Sequence, residues 1–302
     1  MNDYLESLKD SKIIRFSQRI VLPGFDGVPF YNVMVFFVKG LMKGALNTRA
    51  TSLSFQFFLS LFPALIFLFT LIPFIPIDNF QEGLMQLIQD ILPASAYDLT
   101  ASTLDDIINR QRTGLLSIVF VVVLYLATNG VDAMLEAFGE SIHIERKRNY
   151  FHQKGVAFIL LTILTFLLIL CIGLIFLSAY TVGYLKEINN ILGAYILSVS
   201  KWIIVLAMYY FAISILFYYG NVKRKNWKFF SAGSTLATIM TLILSWGFGY
   251  YVNNLALYNS LYGSIGTLIV ILLLIYFNAF VILIGFELNV SIQQAGKKLN
   301  LT

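Results

Sequence analysis

GVAFILLTILTFLLILCIGLIFLSAYTVGYL, residues 155–185, runs for 31 residues without a charge. Crossing the hydrocarbon core takes about 20 apolar residues in a helix, so this stretch has the length and chemistry of a membrane span. Four other charge-free runs accompany it: 28 residues from Ala50 to Ile77, 19 from Thr113 to Val131, 21 from Trp202 to Val222, and 58 from Phe229 to Phe286. The last is too long for one span and suffices for two. Its middle, Asn253-Asn254 to Tyr258-Asn259-Ser260-Leu261-Tyr262-Gly263-Ser264, is its most polar and turn-prone part, and the division falls there. Six spans result.

The composition agrees. Of 302 residues 58% are hydrophobic and only 12% are charged, about half the charge of an ordinary soluble domain. Disorder and a disulfide-stapled secreted module are excluded; the one cysteine, Cys171, has no partner in the chain. The first 20 residues mix Lys9, Lys12, Arg15 and Arg19 with acids and lack the apolar core of a cleavable signal.

The basic residues between the spans set an orientation. The N-terminal segment, the second and fourth loops and the C-terminus hold 17 of the 21 lysines and arginines; the other three loops hold 4. Both termini are therefore expected in the cytoplasm. Residues 1–48 read as a cytoplasmic tail in which Phe30–Val38, followed by Lys39 and Lys43, forms an interfacial helix. Residues 49–289 read as the six-helix domain and 290–302 as a second cytoplasmic tail. The outer loop 78–112 has apolar residues at helical spacing, among them Phe80, Leu84, Leu87 and Ile91, and reads as two short amphipathic helices. The fold class is all-α, a polytopic membrane protein with both ends inside.

Several motifs resemble the YihY/BrkB family of bacterial inner-membrane proteins. The stretch Ala50-Thr-Ser-Leu-Ser-Phe-Gln-Phe-Phe-Leu-Ser60-Leu-Phe-Pro63 is similar to the opening of that family's first span. Ile91-Leu92-Pro93-Ala94, Val131-Asp132-Ala133 with Arg146, and Tyr262-Gly263-Ser264 with Gly285-Phe286-Glu287-Leu288-Asn289 resemble its later signatures. Where many members carry a proline in the fourth loop, this chain has Tyr219-Gly220-Asn221-Val222-Lys223. The resemblance implies six helices in the bacterial cytoplasmic membrane, and links to serum resistance and to lipid movement toward the envelope. It also brings an old ribonuclease label.

The residues offer that label little. A nuclease needs clustered metal ligands or a paired acid and base. Only His143 and His152 occur, nine apart in the basic second loop, with no HExxH, GxSxG, P-loop or CxxC pattern. The chain reads as no enzyme, without metal, cofactor or nucleic-acid partner.

Polar residues inside the spans are the functional clue. Arg49, Ser52, Gln56, Ser60 and Pro63 fall on a stripe about 80° wide at 100° per residue. Pro63 removes one backbone bond, inviting a kink at Leu59–Pro63. Tyr125, Asn129, Asp132 and Glu136 share one face of the second span, and Asn278 sits well inside the sixth. Glu287 points about 180° away from Asn278 and is left outside the shared face. An ionisable group at membrane depth is costly and is paired or functional. Arg49 is read as the partner of Asp132. Together Arg49, Ser52, Gln56, Ser60, Pro63, Asn129, Asp132, Glu136 and Asn278 are expected to line a cytoplasm-facing cleft that moves an amphiphile, either an anionic lipid or an envelope precursor. The alternative is a non-transporting scaffold or envelope-assembly factor. The expected partners are membrane lipids, with a homo-oligomer or envelope machinery in addition.

Overall fold

The computed structural model describes residues 16–71, 85, 113–141, 149–187, 191–221, 228–254 and 264–299. The expected outer-loop helices of 78–112 lie outside the described residues, save Met85. Every regular element among the described residues is helical. These are α1 (Phe30–Lys43), α2 (Leu46–Leu71), α3 (Thr113–Gly139), α4 (Tyr150–Glu187), α5 (Ile191–Gly220), α6 (Ala232–Asn254) and α7 (Ser264–Lys298). The five helices α3 to α7 are long and apolar enough to cross a membrane. The protein is a polytopic all-α membrane protein. α2, 26 residues long, carries the charge-free run as far as Leu71 and continues through Pro63 without interruption.

Two compact units divide the chain, one formed by Phe55–Gly130 and one by the residues before and after it. The smaller unit holds the later turns of α2 and most of α3, which meet through the rings of Phe67 and Phe120, 5.5 Å apart. In the larger unit α4 packs on α5, α5 on α6, α6 on α7, and α1 on α7.

Within lipid the hydrophobic effect does not drive helices together, so close packing and hydrogen bonds must. The α6–α7 contact follows that rule. A Cβ added to Gly285 would lie 2.6 Å from the carbonyl oxygen of Gly233 and 2.8 Å from Ala237 Cβ. Glycine at both positions therefore lets the backbones touch. Asn289 of α7 then completes the start of α6. Its Oδ1 accepts from Gly233 N at 2.7 Å and its Nδ2 donates to Ser231 Oγ at 2.7 Å, while Ser231 Oγ accepts from Ser234 N at 3.2 Å. α3, α5 and α7 meet through three fully buried rings. Phe138 stacks on Phe286 at 4.1 Å, and Phe217 stands edge-on to both.

The residues preceding α1 form a built turn. Gly24, Asp26 and Gly27 take φ values of +86°, +53° and +81°, which insert Phe25 and Val28 into the core between them. There they join Val33 of α1 and Leu288, Ile292 and Ala295 of α7. α7 thus continues as packed helix through residues 290–298.

Candidate functional site

The second non-glycine residue with positive φ, Ala45 at +47°, lies between α1 and α2. It leads into the first turn of α2, from which the Arg49 side chain reaches back to the carbonyl oxygen of Gly44 at the end of α1. Tyr276 of α7 donates to Asn47 Oδ1 in that turn, and Arg49 projects into the protein rather than toward solvent.

Arg49 is 3% exposed. Its Nε donates to the carbonyl oxygen of Ala137 in α3 at 2.7 Å, and its Nη1 donates to the carbonyl oxygen of Gly44 at 3.2 Å. Its ionic partner is Glu287 of α7, with Nη1 3.7 Å from Oε2. Glu287 is completely buried, and its Oε1 accepts from Ser141 Oγ at 3.0 Å. Gly40 of α1 makes room for this carboxylate: a Cβ there would lie 2.8 Å from Glu287 Cδ. One buried charge pair thus joins α1, α2, the end of α3 and α7.

The expected Arg49–Asp132 pair is therefore corrected. Asp132 is half-buried and pairs with Lys154 at the start of α4, Nζ to Oδ2 2.6 Å, while Gln153 Nε2 donates to its Oδ1 at 2.8 Å. The side chains of this second pair keep 29% and 13% of their surface exposed. Arg49 finds an acid on a non-consecutive helix because α7 packs against α1, where Gly40 admits the Glu287 carboxylate, and the Arg49 side chain reaches back to Gly44 at the end of α1.

The remaining stripe residues are less engaged. Ser52, Gln56 and Glu136 are exposed; Ser60, Pro63, Asn129 and Asn278 are half-buried. Ser60 Oγ donates to Phe57 O and Asn278 Nδ2 to Leu274 O, both 2.8 Å and both within their own helices. Gln56, Ser60, Pro63 and Asn129 belong to the Phe55–Gly130 unit, and the other predicted site residues to the larger one. Among the described residues no three of His, Cys, Asp and Glu group as metal ligands would.

A family profile described as virulence factor BrkB matches residues 37–301. The chain belongs to the BrkB family. Similar proteins include the putative ribonuclease-like protein YfkH of Bacillus subtilis, 29% identical over 83% of this chain and 91% of its own length. A UPF0761 membrane protein of Haemophilus influenzae strain 86-028NP is 22% identical over 89% of this chain and 97% of its own. Another, from Psychrobacter, is 25% identical over 90% of this chain and 50% of its own length. No solved structure matches the chain. The BrkB match takes in Gly40, Arg49, Asp132, Lys154 and Glu287, so both charge pairs fall inside the family region.

Proposed function

We propose that this BrkB protein is a six-span protein of the bacterial cytoplasmic membrane, with α2 as the additional span and both termini inside, and that it moves an anionic amphiphile rather than catalysing a reaction. The observation that carries this reading is the contrast between the two charge pairs. Arg49–Glu287 is buried and boxed in by backbone carbonyls, so a headgroup has no route to it. Asp132–Lys154 is short but half-exposed at the ends of α3 and α4 that the basic second loop joins.

This pair keeps some contact with solvent where Arg49–Glu287 keeps almost none, so opening it leaves neither charge sealed from water. Exchange of one anion for another at Lys154 is correspondingly cheap. A phosphate of an inner-leaflet lipid displaces Asp132 from Lys154, Gln153 continues to hold the released carboxylate, and re-formation of the pair expels the headgroup. Glu136, exposed one turn along from Asp132, repels the anion from lingering. The preferred substrate is an anionic phospholipid or an envelope precursor carrying a phosphate.

The test is transbilayer movement of labelled phosphatidylglycerol in proteoliposomes holding wild type, Asp132→Asn or Lys154→Gln. Both variants are expected to melt within a few degrees of wild type and to slow movement several-fold. They reach that result in opposite ways: Asp132→Asn tightens lipid binding and Lys154→Gln weakens it. Equal rates in wild type, variants and protein-free vesicles would overturn the transport reading. The buried Arg49–Glu287 pair favours a second one, a rigid scaffold for a like copy or for envelope machinery. In that case neither variant alters lipid movement, and loss of Glu287 abolishes assembly.

A further inference from the structure

A groove of about 740 Å³ opens between the turn that precedes α1, α1 itself, α5 and the first turns of α6. Leu22 and Phe25 of the turn, Phe37 of α1, and Leu236 and Ile239 of α6 give it apolar walls. Polarity is confined to one region, where Ser231 begins α6 and the Tyr210 and Thr235 hydroxyls share a hydrogen bond of 3.2 Å. Phe230 stacks on Tyr210 with ring centroids 5.4 Å apart. Lys228 lies two residues before Phe230 of the lining; its Nζ is 2.5 Å from Oδ1 of Asp26, the residue after Phe25, and its side chain remains 65% exposed.

We propose that this groove binds one acyl chain of an anionic phospholipid from the leaflet that faces the basic loops, with the phosphate at Lys228. Three observations select that occupant over a peptide or a soluble ligand. The first is depth. From Ser231 to Ile239 the helix rises about 12 Å, close to half of a hydrocarbon core of about 30 Å, so the groove runs from headgroup level toward the midplane. The second is continuity. Ile239, Leu242, Ile243 and Trp246 are all exposed on one face of α6 at helical spacing, and the groove opens onto that stripe through Ile239. The third is charge. Lys223, Arg224, Lys225 and Lys228 cluster just before α6, and a phosphate that displaces Asp26 from Lys228 meets a half-exposed cation rather than a buried one.

The turn is shaped for this purpose. Gly24 lets it approach α6 closely, since a Cβ there would sit 3.3 Å from Ala232 Cβ in a conformation that other residues rarely adopt. The turn thus lies directly against the start of α6 and closes that side of the slot. This site shares no residue with the Asp132–Lys154 pair and requires only that the helices lie in a membrane.

The test uses full-length protein in mixed phosphatidylcholine–phosphatidylglycerol vesicles, with a diazirine on the acyl chain of a trace phosphatidylglycerol and cross-links mapped by peptide mass spectrometry. Labelling of the Phe25 and Leu236–Ile239 peptides is expected to exceed that of the more exposed stripe around Trp246 several-fold, and excess unlabelled phosphatidylglycerol should compete it away. Thr235→Trp, which fills the slot from an exposed position, should abolish the excess and spare the Trp246 label. Lys228→Gln should lower labelling by phosphatidylglycerol but not by a phosphatidylcholine probe. Asp132→Asn should leave the label in place, which separates this site from the transport reading. Labelling in simple proportion to exposure, or labelling that unlabelled lipid does not compete in wild type, overturns the proposal even if Thr235→Trp fails to fold. Co-purification of a peptide in the slot would overturn it too.

Discussion

Replacing Glu287 by Gln keeps the shape of the side chain and an acceptor for Ser141 Oγ, but removes the negative charge from beside Arg49. At 3.7 Å the lost attraction is about 4.5 kcal/mol for an effective dielectric of ~20. The guanidinium cannot recover it by turning to solvent, because it is 3% exposed and held by two carbonyls from different segments. Breaking a buried pair from one side costs about 3–5 kcal/mol, since one charge remains uncompensated. Glu287→Gln and Arg49→Met are each expected to fall in that range. The double variant removes both charges together, so it should be less destabilised than the sum of the two by about 2 kcal/mol or more. The assay is reversible unfolding in mixed micelles, followed by tryptophan fluorescence, for wild type, both singles and the double. Single losses under about 0.5 kcal/mol, or strictly additive losses, would refute the claim that these residues form one buried ionic unit.

Two further outcomes follow from the local geometry. Ala45→Gly should raise stability by about 1 kcal/mol, because it relieves a left-handed alanine between α1 and α2, and the same unfolding assay reads it. Asn289→Ala removes both the acceptor for Gly233 N and a donor to Ser231; it should cost about 1–2 kcal/mol and increase hydrogen exchange at the first turn of α6 before it affects α4.

How much of this was legible in the sequence differs between the helices and the pairings. The helices follow from run length alone: residues 155–185 hold no charge, and nothing in α4 interrupts them. α6 and α7 were separable at the polar stretch near 253–264 because a continuous apolar run of 58 residues has no single-helix solution in a bilayer. Gly233 and Ala237 stand four apart on α6, a spacing of small residues that suits close helix packing, and Gly285 of α7 meets both. The charge pairing was not legible in the same way. Asp132 looked like the partner of Arg49 because both lie on polar stripes of successive spans. Helical angle says which residues share a face of one helix; it is silent on which helix that face meets. Glu287 was set aside because it points away from Asn278, yet that direction is the one occupied by Gly40 and Arg49. A usable signal existed. Arg49 is the single charge in α2, so its compensation lies on another helix, and Glu287 is the single acid in α7, ten residues from the nearest lysine of that helix.

The same argument explains why Arg49–Glu287 and Asp132–Lys154 differ so much in burial. A charge sealed from water can be kept only if its partner is fixed, which makes Arg49–Glu287 a rigid joint whose four contributing segments must move together. Gly40 admits the Glu287 carboxylate against α1, and the carbonyls of Ala137 and Gly44 accept from the guanidinium, which ties each partner to a separate segment. Asp132–Lys154 carries the opposite property. Its side chains keep 29% and 13% of their surface exposed, so opening it does not leave a charge wholly sealed from water. On the proposed transport reading, anion exchange at Asp132–Lys154 needs helices held still elsewhere, so that a headgroup's arrival moves a side chain and not a span. On this reasoning the two pairs divide the labour: variants of the buried pair should report in unfolding, variants of the open pair in lipid exchange, and a variant of the open pair that lost stability to the same degree as Glu287→Gln would contradict the division.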